Sequence, residues 1–441
     1  MRAWVRSCPG AATPAAVFRR LVDRARRRGL PPPAALIGDW FGGGAVLAPT
    51  VTLEPVWDRD TAFATPARQP EVVDGAPRDT VGGGWFGYLG FGLADPGWWN
   101  RRLPRAAWGW ADHVLRQDAD GRWWFEALLD AGRDLPTTLA AELAELVRTA
   151  DAVARPAPPP TGPAHWPLAD QHSRAVGYCL DAITDGEIYQ ANVCVRVELP
   201  PVHEPAELFA GGVAAMAPAR AVFLGGSWGA VASFSPELFL SRHGRAVTSR
   251  PIKGTRPLTA PPEELQRSAK DRAENIMITD MVRNDLGRVA VTGSVRVPEL
   301  LAVCPAPGVW HLVSTVTAEL RAGLGDAELL AATFPPASVT GTPKLRALEL
   351  LAQWERLPRE VYCGAIGMAS PLAGLELAVA IRTVEVGPDG TAWLGVGGGI
   401  TIDSDAEEEW QECVDKAAAI LELLSYPKAP MIAPATVRET T

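Results

Sequence analysis

Ser249-Arg250-Pro251-Ile252-Lys253-Gly254-Thr255-Arg256-Pro257 is the stretch around which this chain is read. One lysine stands between an apolar residue and a glycine, among prolines, with an arginine three residues to either side. Proline fixes φ near about −65° and glycine permits a tight turn, so the window reads as a shaped loop presenting Lys253. Flanking guanidinium charges and any burial favour a neutral amine, and a neutral lysine amine is a nucleophile. On this window alone a solvated surface lysine is the ordinary reading, because lysines are seldom buried. The rest of the chain has to decide.

Working outward, 441 residues with 47% hydrophobic and 21% charged side chains suit a globular protein with a large core. A net charge of −9 argues against nucleic acid as a partner. No apolar run is long enough for a membrane span, and Met1 to Cys8 lacks the apolar core of a signal peptide. The cysteines at 8, 179, 194, 304, 363 and 413 show no Cys-x-x-Cys spacing, which disfavours a disulfide framework or a zinc site and fits a reducing cytoplasm.

Apolar periodicity predicts helices over 14–29, 135–152, 172–184, 263–286, 343–353 and 405–424. Short apolar or alternating runs predict strands at 34–37, 44–47, 108–114, 122–128, 193–199, 221–224, 230–234 and 312–320. A hairpin is expected from 379–386 and 391–396, with Gly397, Gly398 and Gly399 preceding a further strand. The glycine-rich run 81–92 has no Gly-Lys-Ser/Thr, so close backbone packing is preferred to a phosphate loop. The Pro-rich connector 155–167 separates an N-terminal region, 1–154, from a catalytic domain, 168–426, and 427–441 reads as a disordered tail. The fold class expected is α+β, with large antiparallel sheets packed together and flanked by helices.

Carboxylates recur beside apolar stripes on two of these helices. Glu409, Glu412 and Lys416 share a strip next to Trp410, Cys413, Ala417 and Ile420; Asp271 and Glu274 lie beside Met277 and Met281. Facing acids of this kind could hold Mg²⁺, which takes one or two carboxylates plus waters and substrate oxygens. From spacing alone an acidic helix surface remains the ordinary reading.

From Tyr189 to Leu424 the chain resembles the chorismate-using enzymes: the anthranilate, isochorismate, salicylate and aminodeoxychorismate synthases. The resemblance is carried, in order, by Ser235-Pro236-Glu237, Pro251-Ile252-Lys253-Gly254-Thr255-Arg256, Asp271-Arg272-Ala273-Glu274-Asn275, Arg283-Asn284-Asp285-Leu286-Gly287-Arg288, His311-Leu312-Val313-Ser314-Thr315, Thr340-Gly341-Thr342-Pro343-Lys344, Gly364-Ala365-Ile366-Gly367 and the Glu412/Lys416 helix. It extends more loosely over the first 150 residues and implies the fold of anthranilate synthase component I. It also implies Mg²⁺ on Glu274 and Glu412, with Glu409 nearby. Chorismate would meet Tyr362, Arg382, Lys416 and the amides of Gly397, Gly398 and Gly399, with His311 and Thr340 along the pocket.

Lysine at position 253 is similar to the C4-aminating branch, the aminodeoxychorismate synthases, where C2-aminating and water-adding members typically carry alanine. Lys253 is then expected to attack C2 while Glu237 protonates the leaving C4 hydroxyl. Gln190 stands where water-adding members carry a lysine base, which disfavours isochorismate and salicylate synthesis. No cysteine lies in a Gly-x-Cys-x-Gly elbow, so ammonia is expected from a separate glutamine amidotransferase subunit. The rivals are C2 amination, as in anthranilate synthase component I, and an inactive binding subunit. Thr340, where alanine is commoner, and Phe334-Pro335-Pro336-Ala337, in place of a more usual Gly-Gly, depart from the family pattern. The Leu-Leu-Glu-Ser feedback motif of anthranilate synthases is absent around Ala34 to Gly44, so tryptophan inhibition is not expected.

Overall fold

The computed structural model describes residues 1–73, 76–77, 79–95, 102–150 and 163–424. Most of the Pro-rich connector and all of the tail 427–441 lie outside these residues.

Among the described residues, antiparallel pairing builds two large sheets. The first has 11 strands, in the order Arg2–Cys8, Trp123–Leu129, His113–Gln117, Gly43–Ala48, Ala34–Trp40, Arg220–Gly226, Gly229–Ser235, Thr383–Val386, Ala392–Ile400, Gln190–Leu199 and Gly341–Thr342. The second has 10 and runs Ile252–Pro257, Val309–Glu319, Ala246–Arg250, Leu238–His243, Gly374–Val379, Ala365–Ser370, Gly84–Leu89, Ala106–Ala111, Glu54–Val56, with Arg296–Ala306 also paired to Val309–Glu319. The boundary at the connector is therefore one along the chain. In space both sheets take strands from either side of it, as Arg220–Gly226 on Ala34–Trp40 and Ala365–Ser370 on Gly84–Leu89 show.

Each sheet is covered on both faces over its central strands, which explains why strands such as Ala34–Trp40 and Ala365–Ser370 are largely apolar. Along Ala34–Ile37, Leu36 points between the sheets to join Val222, Phe86 and Ile366. Ala35 and Ile37 point the other way, toward Phe18 and Leu21 of helix Pro14–Arg28 and Phe209 of helix Pro205–Met216. Outside the second sheet, Ile278, Met281 and Leu286 of helix Ala269–Gly287 pack with Leu240, Val316 and Leu377. The result is four layers: helices, sheet, sheet, helices. No helix among the described residues is long and apolar enough to cross a membrane.

Local differences from expectation have local causes. Lys253 sits on a strand, Ile252–Pro257, not on a loop. Pro251 has no N–H to give to the ladder, and the register against Val309–Glu319 shifts between Ile252 and Thr255, so a proline-rich strand looks like a loop in sequence. The helix expected over 263–286 is two, Pro262–Arg267 and Ala269–Gly287, because Ser268 turns extended and its hydroxyl caps Asp271 N. Gly397, Gly398 and Gly399 lie inside strand Ala392–Ile400, not before one. The chain changes sheet between Val379 and Thr383, where Arg382 takes φ 50°. The expected glycine-rich packing holds: Gly82, Gly83 and Gly84 all have positive φ at the entry to Gly84–Leu89.

Candidate active site

The site forms where the end of strand Ala392–Ile400 passes between two acid-bearing helices. Successive strand residues face opposite ways, and two adjacent glycines leave both faces bare. A side chain on Gly399 would fall 2.9 Å from Gln190 Nε2, 2.9 Å from Lys253 Nζ and 3.0 Å from Glu274 Oε2. One on Gly398 would fall 2.8 Å from Glu409 Oε2 and 3.8 Å from Glu412 Oε1. Glycine interrupts a strand at some cost, and here it lets five polar side chains converge on one length of backbone.

Lys253 is buried, and its ammonium lies 3.6 Å from Glu274 Oε2. The register shift at Lys253 and Gly254 is a local bulge, which re-aims a side chain. Gly254, at φ +92°, would otherwise crowd Asp271 and Leu265 at the helix it abuts. The flanking Arg256 is held by Asp271 at 2.9 Å. Glu274 is fixed from behind by its neighbour. Asn275 Nδ2 donates to Leu312 O at 3.0 Å, Ser314 Oγ donates to Asn275 Oδ1 at 2.5 Å, and Thr279 Oγ1 donates to Asn275 O at 2.7 Å. Because Val313 pairs with Ile252, this network sets the helix of Glu274 against the strand of Lys253. Burial raises the Glu274 carboxyl above its ordinary range, and Lys253 and Lys270 offset part of that rise.

Helix Ala406–Leu423 buries Trp410, Cys413, Ala417 and Ile420 as its periodicity predicts, and Glu409 with them at 1% exposure. Glu409 Oε1 accepts from Ser404 Oγ at 2.7 Å and Lys270 Nζ at 2.8 Å, while its Oε2 is buried without a partner. Glu412 and Lys416 are about half exposed and paired at 2.6 Å. Lys416 Nζ also donates to Gly397 O at 2.8 Å. Burial works against the Glu412 charge, but Lys416, Lys253 and Lys270 outweigh it and hold that carboxyl below its usual range.

Glu237 is 4% exposed, and burial pushes its carboxyl up to about 7. Ser338 and Lys253 both face it and pull the other way. One of its oxygens accepts from Ile252 N at 3.4 Å, which ties it to the residue before Lys253. His311 is buried with Nδ1 3.0 Å from Thr255 Oγ1 and Nε2 unpartnered; burial, then the Arg382 charge, lower it to about 4, so the ring is neutral. Tyr362 is buried with its ring against Gly395, where a side chain would come within 2.2 Å. Thr340 is fully buried, and its hydroxyl donates within its own loop to Pro336 O or Ala337 O at 3.2 and 3.1 Å. The structure thus gathers Lys253, Glu274, Gln190, Glu409 and Glu412 on Gly398 and Gly399, sets Glu237 beside Lys253, and leaves the Thr340 hydroxyl engaged elsewhere.

Sequence reasoning missed Lys270 and Ser404. Lys270 stands four residues before Glu274, on the same helical face, so spacing could have found it. Ser404 carries no such signal. No group of three or more His, Cys, Asp or Glu among the described residues is arranged to hold a metal ion. Mg²⁺ asks for fewer ligands than that, and two carboxylates beside an orphaned buried oxygen suit it.

The family model for chorismate binding enzymes matches residues 51–422. This chain belongs to that family. Aminodeoxychorismate synthase component 1 of Escherichia coli (strain K12) is 40% identical over 262 residues, covering 58% of this chain and 58% of that protein. Aminodeoxychorismate synthase of Streptomyces pristinaespiralis is 37% identical over 372 residues, 78% of this chain and 51% of that protein. The matches therefore span little more than half the length of these curated relatives. The crystal structure of anthranilate synthase component I from Streptococcus pneumoniae TIGR4 superposes with a TM-score of 0.70 at 22% identity, over 95% of this chain and 92% of that one. The fold is that of anthranilate synthase component I.

Proposed function

We propose that this chorismate-binding enzyme aminates chorismate at C4, giving 4-amino-4-deoxychorismate. The observation that carries the reading is Lys253: a buried amine with one carboxylate partner at 3.6 Å, aimed at the same point over Gly399 as Glu274 and Gln190. A buried lysine spent on structure would have its three donors satisfied.

In this reading the Lys253 amine bonds to C2 as the C4–O bond breaks, and the Glu237 carboxyl gives its proton to the departing hydroxyl, which leaves as water. Glu237 suits that task, since a carboxyl near 7 is still substantially protonated at neutral pH. Ammonia then bonds to C4 as the C2–Nζ bond breaks, which releases Lys253 as the neutral amine, and the proton shed by the new C4 ammonium returns to the Glu237 carboxylate. Gln190, buried with both amide atoms unpartnered, has no basic group with which to activate water at the same place. Lys416, Arg382 and the strand amides near Gly397 to Gly399 suit the carboxylates of a dianion. Mg²⁺ would be held by Glu274 and Glu412 with Glu409 behind them, and when bound would neutralise substrate carboxylate charge.

Ammonia is supplied by a separate glutamine amidotransferase subunit. The Escherichia coli relative is itself named as a component 1. The test combines chorismate, Mg²⁺ and ammonium or glutamine, with the product located by mass and NMR. Ammonium should give the C4 amine, glutamine alone should give none, and the peptide holding Lys253 should carry chorismate less one water when ammonia is withheld. A C2-aminated product, or no adduct, would sink the reading.

A further inference from the structure

Away from Lys253, on the same face of the first sheet, an ion pair is buried that takes no part in the chemistry proposed above. Alternate residues of strand Ala392–Ile400 share that face, Gly395, Gly397 and Gly399 among them. Arg196 lies opposite Gly395 on strand Gln190–Leu199, and Glu385 lies opposite Trp393 on strand Thr383–Val386. Both charges are buried, at 6% and 2% exposure. Arg196 Nη1 donates to Glu385 Oε1 at 3.1 Å, and Nη2 donates to Oε2. Desolvation offsets much of the attraction in such a pair, so what else it holds matters more than the pair itself.

Their other hydrogen bonds among the described residues go to one loop. Glu385 Oε1 accepts from Val361 N at 3.1 Å and Tyr362 N at 2.8 Å, and Arg196 Nη1 donates to Arg359 O at 2.9 Å. This loop lays the Tyr362 ring over Gly395, in the space a side chain there would fill. Its backbone is strained on both sides of that ring: Glu360 has φ 54° and Cys363 φ 67°, where residues other than glycine are uncommon. Strained backbone lasts only where its surroundings over-determine it. Glu385 grips the two N–H groups that lie between the strained residues.

We propose that Glu385, its carboxylate fixed by Arg196, is a positioning residue for chorismate and acts through the backbone of Tyr362. The inference rests on the chorismate reading of the site, not on which carbon is aminated. Neither charge touches substrate. Glu385 and Arg196 set the ring of Tyr362 over Gly395, four residues or roughly 13 Å along one face from Gly399, where Lys253 and Glu274 meet. From there the phenol hydroxyl, the one donor of that side chain, is expected to meet a chorismate carboxylate.

Paired substitutions test this while leaving no buried charge alone. Arg196→Met with Glu385→Gln keeps an oxygen to accept from Tyr362 N; Arg196→Met with Glu385→Leu does not. Turnover is followed as loss of chorismate at saturating ammonium, whichever product forms. The Leu pair should raise the KM for chorismate about tenfold or more and leave the KM for ammonium within about twofold. The Gln pair should keep both within about threefold. In a Tyr362→Phe background, which lacks the hydroxyl to be placed, the Leu pair should add less than about twofold. Glu385→Asp keeps the charge and withdraws the acceptor by one methylene. It gives the same comparison, severalfold against none, if the Leu pair does not fold. An equal chorismate KM for the Gln and Leu pairs, or the same factor with and without the Tyr362 hydroxyl, overturns the positioning role. A C2-aminated product overturns the C4 reading and leaves this inference standing; a wild type that consumes no chorismate overturns both.

Discussion

Lys253, buried, and Lys344, partly buried, both stand beside carboxylates, and they are held in opposite ways. Lys344 Nζ donates to Asp285 Oδ2 at 2.5 Å, Thr333 O at 2.9 Å and Pro335 O at 2.8 Å, so all three of its donors are used. Lys253 Nζ has Glu274 Oε2 at 3.6 Å, beyond ordinary hydrogen-bond reach, and faces a backbone stripped of side chains at Gly399. The first lysine is saturated and ties helix Ala269–Gly287 to the loop before helix Lys344–Trp354. The second is left short of partners over bare backbone. Burial alone separates neither from the other; the count of satisfied donors does.

The sharpest way to break the contrast is to remove Lys253. Lys253→Ala should cost about three or more powers of ten in C4 amination, since a nucleophile is lost and not a contact. Lys253→Arg should not rescue it, because a guanidinium keeps the charge but cannot be deprotonated. Near wild-type C4 amination by Lys253→Arg, measured at high ammonium, would reduce Lys253 to an electrostatic contact. Next in size is the acid pair. Glu274→Gln or Glu412→Gln should lower turnover at limiting Mg²⁺ by about a hundredfold or more and shift a Mg²⁺ titration followed by calorimetry. Unchanged Mg²⁺ affinity in both would remove the metal from the site.

Stability should reverse the ranking of the lysines. Lys344→Met leaves the Asp285 carboxylate buried and unpaired, a loss of about 3–5 kcal/mol in urea unfolding. Lys253→Met should cost about 1 kcal/mol or less, because the ammonium closes no full hydrogen bond. Equal losses would erase the distinction between the two.

The last helix, which frames one side of the site, was legible because periodicity is a strong signal. Trp410, Cys413, Ala417 and Ile420 predict the buried face of Ala406–Leu423, and Glu409 is drawn in beside them. What stayed hidden was set by tertiary pairing. Arg296–Ala306 mixes charge, proline and apolar residues without a clean alternation, yet its backbone groups are satisfied along Val309–Glu319. Gly397 to Gly399 looks like a strand boundary in sequence, and is strand because neighbouring side chains occupy the space its own would fill. Lys253 could be picked out only by family resemblance. Its burial and its long contact to Glu274 are properties of packing, which no local window contains.

A last expectation concerns Glu237, beside Lys253, and it is read by pH. Burial raises the folded-state carboxyl to about 7, above its ordinary 4.5. The unfolded chain therefore releases this proton first, and between those two values the native state binds more protons than the unfolded one. Unfolding free energy must fall with rising pH across that window, by up to about 3 kcal/mol from this group alone. Below the window both states are protonated and the contribution is fully present; above it both are ionised and it is lost. Glu237→Gln carries no such proton, so its stability should decline less than that of the wild type between about pH 5 and pH 8. Parallel urea-unfolding profiles for wild type and Glu237→Gln across this range would mean that the carboxyl is ionised in the folded protein at neutral pH. It could not then serve as the proton donor to the C4 hydroxyl.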